Sequence, residues 1–355
     1  MQVTYLNRWI CFVTLSLALA YACCTTPVQA QQAQQAPQVS VHDPVMAQEG
    51  DTYYLFSTGP GITFYSSKNK IDWQLEGRIF AGEPAWAKAA APGFNDHIWA
   101  PDIQFHQGRY YLYYSVSSFG KNASGIGVTV NKTLNPRSPD YQWQDQGMVL
   151  QSIPGRDDWN AIDPNIINDS QGQAWMAFGS FWNGIKLVKL HENWTALAQP
   201  QVWFTLAQRE RLSFTPDASA GPAEIEAPFI FKKNDYYYLF VSWGLCCKGE
   251  GSTYHVVVGR AKQVTGPYLD KTGRDMAKGG GSLLLQGNAA WRGLGHNSAY
   301  HFGGKDYLVL HAYETADKYL QKLKILEMQW NADGWPVVDA NALDSYQSKL
   351  LSTKK

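Results

Sequence analysis

Residues 226–243 read EAPFIFKKNDYYYLFVSW. A proline heads a short apolar run, Phe229-Ile230-Phe231. Asn234-Asp235 then separates that run from a tyrosine-rich one. Proline is tolerated at the first position of a strand, Asn and Asp favour the turn, and aromatic and branched residues suit a pleated surface. The stretch predicts an antiparallel hairpin. Its leading glutamate is not explained by a hairpin, because a carboxylate at the mouth of an apolar strand is costly unless it is paired or used.

Four other segments share this layout: HDPVMAQEGDTYYLFST at 42–58, WAPDIQFHQGRYYLYYSVS at 99–117, IDPNIINDSQGQAWMAFGSF at 162–181 and GHNSAYHFGGKDYLVLHAY at 295–313. The prolines stand at 44, 101, 164 and 228, so the steps are 57, 63 and 64 residues, and Asn297-Ser298 replaces proline in the fifth unit. Each turn carries Gly or Asn-Asp. Further strand-like sequence follows the hairpins, as in ITFYSSKNKIDW, GIGVTVNKTL and YHVVVGRAK, giving about four short strands per unit. No long stretch has a 3.6-residue apolar period, so helices should be scarce. Five repeats of a four-stranded unit predict an all-β fold, a five-bladed β-propeller, in preference to a two-sheet sandwich. The proline-marked strand comes first in each unit and is expected innermost. Asp43, Asp163, Glu226 and His296 would then converge at one mouth of the central channel.

The chain has 355 residues, 45% hydrophobic and 17% charged, with 30 basic and 30 acidic side chains. That balance argues against a nucleic-acid partner held through phosphates. Aromatics reach 14%, including 14 Trp and 20 Tyr, which suits β-structure and flat, sugar-like ligands. The N-terminus reads as an export signal: Arg8, the apolar stretch 9–22 and a small-x-small site at Val28-Gln29-Ala30, with cleavage expected after Ala30. That run is short for a membrane span, so no membrane partner is expected. Lipid attachment at Cys23 is the weaker alternative, since Ala20-Tyr21-Ala22 matches a lipobox poorly. A polar linker over 31–38 precedes a single domain expected over 39–355, and the mature protein is expected outside the cytoplasm as a monomer. Beyond the leader only Cys246 and Cys247 remain. They are adjacent and could form a vicinal disulfide or stay as two thiols; no second Cys/His pair is spaced for zinc.

Three carboxylates among aromatics suit glycoside hydrolysis: one protonates the leaving oxygen, one activates water or attacks, and a third orients the acid and raises its pKa. Here the sequence resembles glycoside hydrolase family 43, and within it the arabinanases. The resemblance is carried by HDP at 42–44, WAPD at 99–102, AIDPN at 161–165, EAP at 226–228, GHNS at 295–298, FGSFWNGI at 178–185 and SWGLCCKG at 242–249. It implies a five-bladed propeller and an inverting endo-1,5-α-L-arabinanase-like activity. It makes Asp43 the general base, Glu226 the general acid and Asp163 the residue that tunes the acid. In similar arabinanases the counterpart of His296 holds a central ion, often calcium, mostly through water. Because imidazole is an unusual ligand for a hard cation, water or chloride stays an alternative there. Trp99 and Phe119 are the expected sugar platforms, with Trp182, Asn183 and Gln321 as further subsite candidates. Asp102, one residue past its proline, is expected to be structural. Another activity of the family, β-xylosidase or α-arabinofuranosidase, is the enzymatic alternative. A non-catalytic sugar-binding propeller is the other; it fits less well because the blades carry different residues. Internal against end-of-chain cleavage stays open.

Overall fold

A computed structural model describes residues 38–216 and 218–344. The expected leader over 1–30, and all but Gln38 of the expected linker, lie outside the described residues.

Five antiparallel sheets follow one another along the chain. Blade one is built from Val45–Glu49, Thr52–Ser57, Thr63–Ser67 and Gln74–Arg78. Blade two is built from His97–His106, Arg109–Val116, Ser124–Asn131 and Gln144–Ser152, with the two-residue strand Gly59–Pro60 on its inner edge. Blade three has Asn165–Asn168, Ala174–Phe178, Ile185–Lys189 and Trp203–Ala207. Blade four has Ile225–Lys233, Tyr236–Trp243, His255–Ala261 and Ser282–Leu285, and blade five has Trp291–Phe302, Lys305–Glu314, Leu320–Trp330 and Pro336–Val338. The first strand of each sheet packs on the first strand of the next, and the fifth returns to the first. The molecule is therefore the expected five-bladed propeller. Helix is scarce among the described residues: the single turn Ala87–Ala90 and the helical residues 342–344.

The hairpin turns behave as their residues dictate. Gln107-Gly108 and Gly303-Gly304 join paired strands through two residues with positive φ, the geometry that matches strand twist. The cores lie between blades. One cluster joins Val41, Met46 and Leu55 to Phe302, Val309, Leu323 and Ile325, and so closes the ring across the first and fifth blades. Polar struts on the inner strands reinforce it. Asp102 accepts from Ile166 N at 2.7 Å, Asn165 accepts from Ile230 N at 2.8 Å, and Ser298 donates to Pro44 O at 2.8 Å. Asp102 is buried in this girdle, and burial lifts its carboxyl to about 6.

Candidate active site

Every inner strand is either interrupted at one equivalent place or begins just after it. Asp43, Ala100, Asp163, Ala227 and His296, each directly before the proline position, all have φ between 42° and 59°. Ladder register shifts accompany this in blades two, four and five. In a regular strand, consecutive side chains face opposite ways. The left-handed residue breaks that alternation, so two successive residues can face one cavity. His42 and Asp43, and Ile162 and Asp163, do so. Glu226 comes from the position one earlier than Asp43 and Asp163, because Ala227 holds the left-handed place in blade four.

The kinks are held by neighbouring blades. Second strands end in a hydroxyl or imidazole that receives the N–H of the next blade's left-handed residue: Thr58 Oγ1 from Ala100 at 2.8 Å, Ser115 Oγ from Asp163 at 3.0 Å, Ser242 Oγ from His296 at 2.8 Å, and His311 Nδ1 from Asp43 at 3.2 Å. Blade three departs from this pattern. There Asp163 Oδ2 accepts Ala227 N at 3.1 Å, and Ser180 is released to donate to Glu226 Oε2 at 2.6 Å. Asp163 is thus both a strut and a carboxyl set beside the acid candidate.

The result is a cavity of about 500 Å³ lined by side chains of all five blades, among them Asp43, Asp163, Glu226, His296, Trp99, Phe119 and Gln321. Trp182 and Asn183 are not in its lining: Trp182 is 2% exposed in the blade packing, and Asn183 donates to Asp158. Phe119 is 68% exposed on its loop, where the Lys248 ammonium lies 5.2 Å from its ring centre.

The carboxyls sit in opposite electrostatic settings. Asp43 Oδ1 lies 3.0 Å from His296 Nδ1, 2.7 Å from His42 Nδ1 and 3.6 Å from His311 Nδ1, while Thr58 Oγ1 donates to Oδ2. Burial alone would raise this carboxyl, but His296, His42 and His311 reverse the sign and hold it well below the usual carboxylate range. Burial lowers the His42 pKa, but Asp43 and the more distant Glu226 bring it above its ordinary value. Burial keeps His296 and His311 below theirs. Asp163 is raised by burial, then by Glu226 and Asp43. Glu226 is raised by burial and by Asp43, against hydroxyl donation from Ser180 and from Tyr254, whose OH is 2.6 Å from Oε1. One wall favours an ionised carboxylate, and the other favours a protonated carboxyl.

His42, Thr58, Ser180, Tyr254, His311 and Tyr313 were not assigned roles from sequence. A signal was present for some: Thr58, Ser115, Ser180, Ser242 and His311 recur at the ends of the second strands. Among the described residues, the His, Cys and carboxylate groups close enough to share a metal are His42 with Asp43 and His311, and His42 with Cys246 and Cys247. Neither includes His296.

The sequence profile of Glycosyl hydrolases family 43 matches residues 37–336. The chain belongs to glycosyl hydrolases family 43. This family 43 enzyme is 66% identical over 316 residues to the extracellular exo-α-(1→5)-L-arabinofuranosidase ArbA of Cellvibrio japonicus (strain Ueda107), covering 89% of this chain and 91% of that protein. It is 38% identical to the extracellular endo-α-(1→5)-L-arabinanase 1 of Bacillus subtilis (strain 168), over 83% of this chain and 87% of that one. Among solved structures it resembles the Cellvibrio cellulosa α-L-arabinanase complexed with arabinohexaose, at 65% identity and a TM-score of 0.87, covering 88% of this chain and 99% of the other. The enzyme is a glycoside hydrolase of propeller fold.

Proposed function

We propose that this enzyme hydrolyses α-1,5-linked L-arabinan outside the cell, with Asp43 as general base, Glu226 as general acid and Asp163 tuning and bracing the acid. The observation that carries the roles is the split in protonation: imidazoles keep Asp43 ionised, while burial and Asp43's charge keep Glu226 toward its neutral form. An ionised Asp43 can take a proton from water as that water attacks the anomeric carbon. A neutral Glu226 can give its proton to the departing O5 of the next sugar. Ser180 and Tyr254 fix both oxygens of Glu226, so its proton is presented in one direction. Trp99 and Phe119 on the cavity wall suit the C–H face of a furanose ring, and Gln321 can hydrogen-bond its hydroxyls. The names of the relatives support arabinan over xylosides.

The higher identity to an exo-acting relative favours release from a chain end. The Lys248–Phe119 contact, which ties the blade-four loop to the blade-two loop at the cavity rim, agrees with that reading. A size-resolved time course on linear arabinan, run beside xylan and aryl xylosides, tests the proposal. One product size from the start marks end-release, and a broad early ladder marks internal cleavage. Xyloside hydrolysis without arabino-oligosaccharides would overturn the substrate assignment.

A further inference from the structure

The cavity rim carries a group the hydrolytic chemistry does not use. Cys246 and Cys247 are joined by a disulfide, and both line the catalytic cavity. Cys247 Sγ lies 3.6 Å from His42 Nε2, on the far side of the imidazole from Asp43. We propose that the reduced protein binds one soft divalent cation, of the zinc or cadmium kind, through Cys246 Sγ, Cys247 Sγ and His42 Nε2, and that the disulfide closes this site in the oxidised enzyme.

The geometry supplies the parts. The three ligand atoms lie within 4.8 Å of one another. Ligands on a tetrahedral zinc stand about 3.5 Å apart, so small side-chain rotations suffice once the sulfurs separate. Two thiolates and an imidazole select soft or borderline ions over calcium or magnesium. Three protein ligands leave a fourth position open to the cavity. The second sphere is in place: His42 Nδ1 faces the Asp43 carboxylate at 2.7 Å, the carboxylate–histidine–metal arrangement that orients an imidazole ligand. Only Tyr313 OH, now 2.8 Å from His42 Nε2, has to turn away.

Opening the disulfide does not dissolve the loop. Thr253 N and Tyr254 N bond Leu245 O at 2.9 and 3.2 Å, and Lys248 N bonds Ser252 Oγ at 3.0 Å. A water-soluble phosphine supplies the electrons. Phosphorus gains an oxygen from water, the S–S bond breaks, and two thiols form with the two protons of that water. Binding the cation then releases the two thiol protons and, from protonated His42, the Nε2 proton as well. A cation at this point sits beside the Asp43 base and in the sugar's path, so it blocks hydrolysis. In an oxidising exterior the disulfide keeps the active site insensitive to such ions.

The test is equilibrium dialysis of the full chain against Cd²⁺, oxidised and after phosphine reduction, with Cys246→Ser/Cys247→Ser treated in parallel. The leader also contains Cys11, Cys23 and Cys24, so the readout is the difference between proteins. Reduced wild type should bind one more Cd²⁺ than the reduced double variant, with thiolate-to-cadmium charge-transfer absorption. Arabinan hydrolysis by reduced wild type should fall at least tenfold at equimolar Cd²⁺, while the oxidised enzyme keeps its rate. Equal Cd²⁺ in the two reduced proteins, or equal inhibition of oxidised and reduced wild type, would overturn the proposal. Should the double variant not fold, Cys246→Ser alone should lose at least tenfold in Cd²⁺ affinity, and unchanged affinity counts against the site. The binding arm does not depend on the substrate assignment.

Discussion

Replacing Glu226 by Gln separates acid catalysis from everything else the residue does. The amide keeps the shape. Ser180 and Tyr254 hydroxyls now donate to the two carboxylate oxygens at 2.6 Å each. In the variant one still donates to the amide oxygen and the other turns to accept from the amide nitrogen, which a hydroxyl can do. The folding cost should stay within about 1 kcal/mol, and loss of a buried acid offsets part of it. The chemical loss is larger. Proton donation to a leaving alkoxide supplies roughly 10²–10⁴-fold, or about 2.7–5.4 kcal/mol at 1.36 kcal/mol per decade. An aryl arabinofuranoside with a nitrophenolate leaving group needs little protonation, so it should lose less than about tenfold. The assay is kcat/KM on linear arabinan by reducing ends and on the aryl substrate by absorbance, with the thermal midpoint as a control. For the variant on the aryl substrate, the alkaline limb of the pH profile should also vanish. Equal losses on the two substrates, with folding intact, would refute the acid role.

Asp163→Asn should move the alkaline limb to lower pH, because it removes the like-charge repulsion within the buried Asp163–Glu226 pair. Its effect on stability follows from the raised carboxyl of Asp163. That stabilising share is complete below the unfolded value of about 3.9 and is lost as pH rises through the folded one, so the variant's thermal midpoint should gain on wild type as pH rises across that interval. Asp163→Ala should instead lose about 1–3 kcal/mol by orphaning Ala227 N, measured by denaturant unfolding. His42→Ala should shift the acid limb to higher pH, since one of the imidazoles that depress Asp43 is gone; an unmoved limb would count against His42 as its partner. The first product should be the β-anomer by proton NMR before mutarotation, because inverting carboxyls stand roughly 6.5–9.5 Å apart and leave room for water. An initial α-anomer would reject Asp43 as a base.

Much was legible in the sequence because the fold is local and repeated. Each blade begins with a hairpin whose turn, strand composition and leading proline lie within 20 residues, so EAPFIFKKNDYYYLFVSW announced its own structure and its four copies announced the propeller. The convergence of Asp43, Asp163, Glu226 and His296 followed from placing the proline-marked strand innermost. Sequence could not say that the residue before each proline is left-handed, and so could not say which two neighbours face the cavity. It also could not show that Trp182 and Asn183 stand outside the cavity lining, since a side chain's direction is set by backbone dihedrals and not by its type. Nor could it pair residues from different blades. His42 with Tyr313, Asp43 with His311, Ser180 with Glu226 and Cys247 with His42 are separated by 271, 268, 46 and 205 residues. The charges of Asp43 and Glu226 are set by those distant partners and by burial, quantities that exist only once the ring has closed.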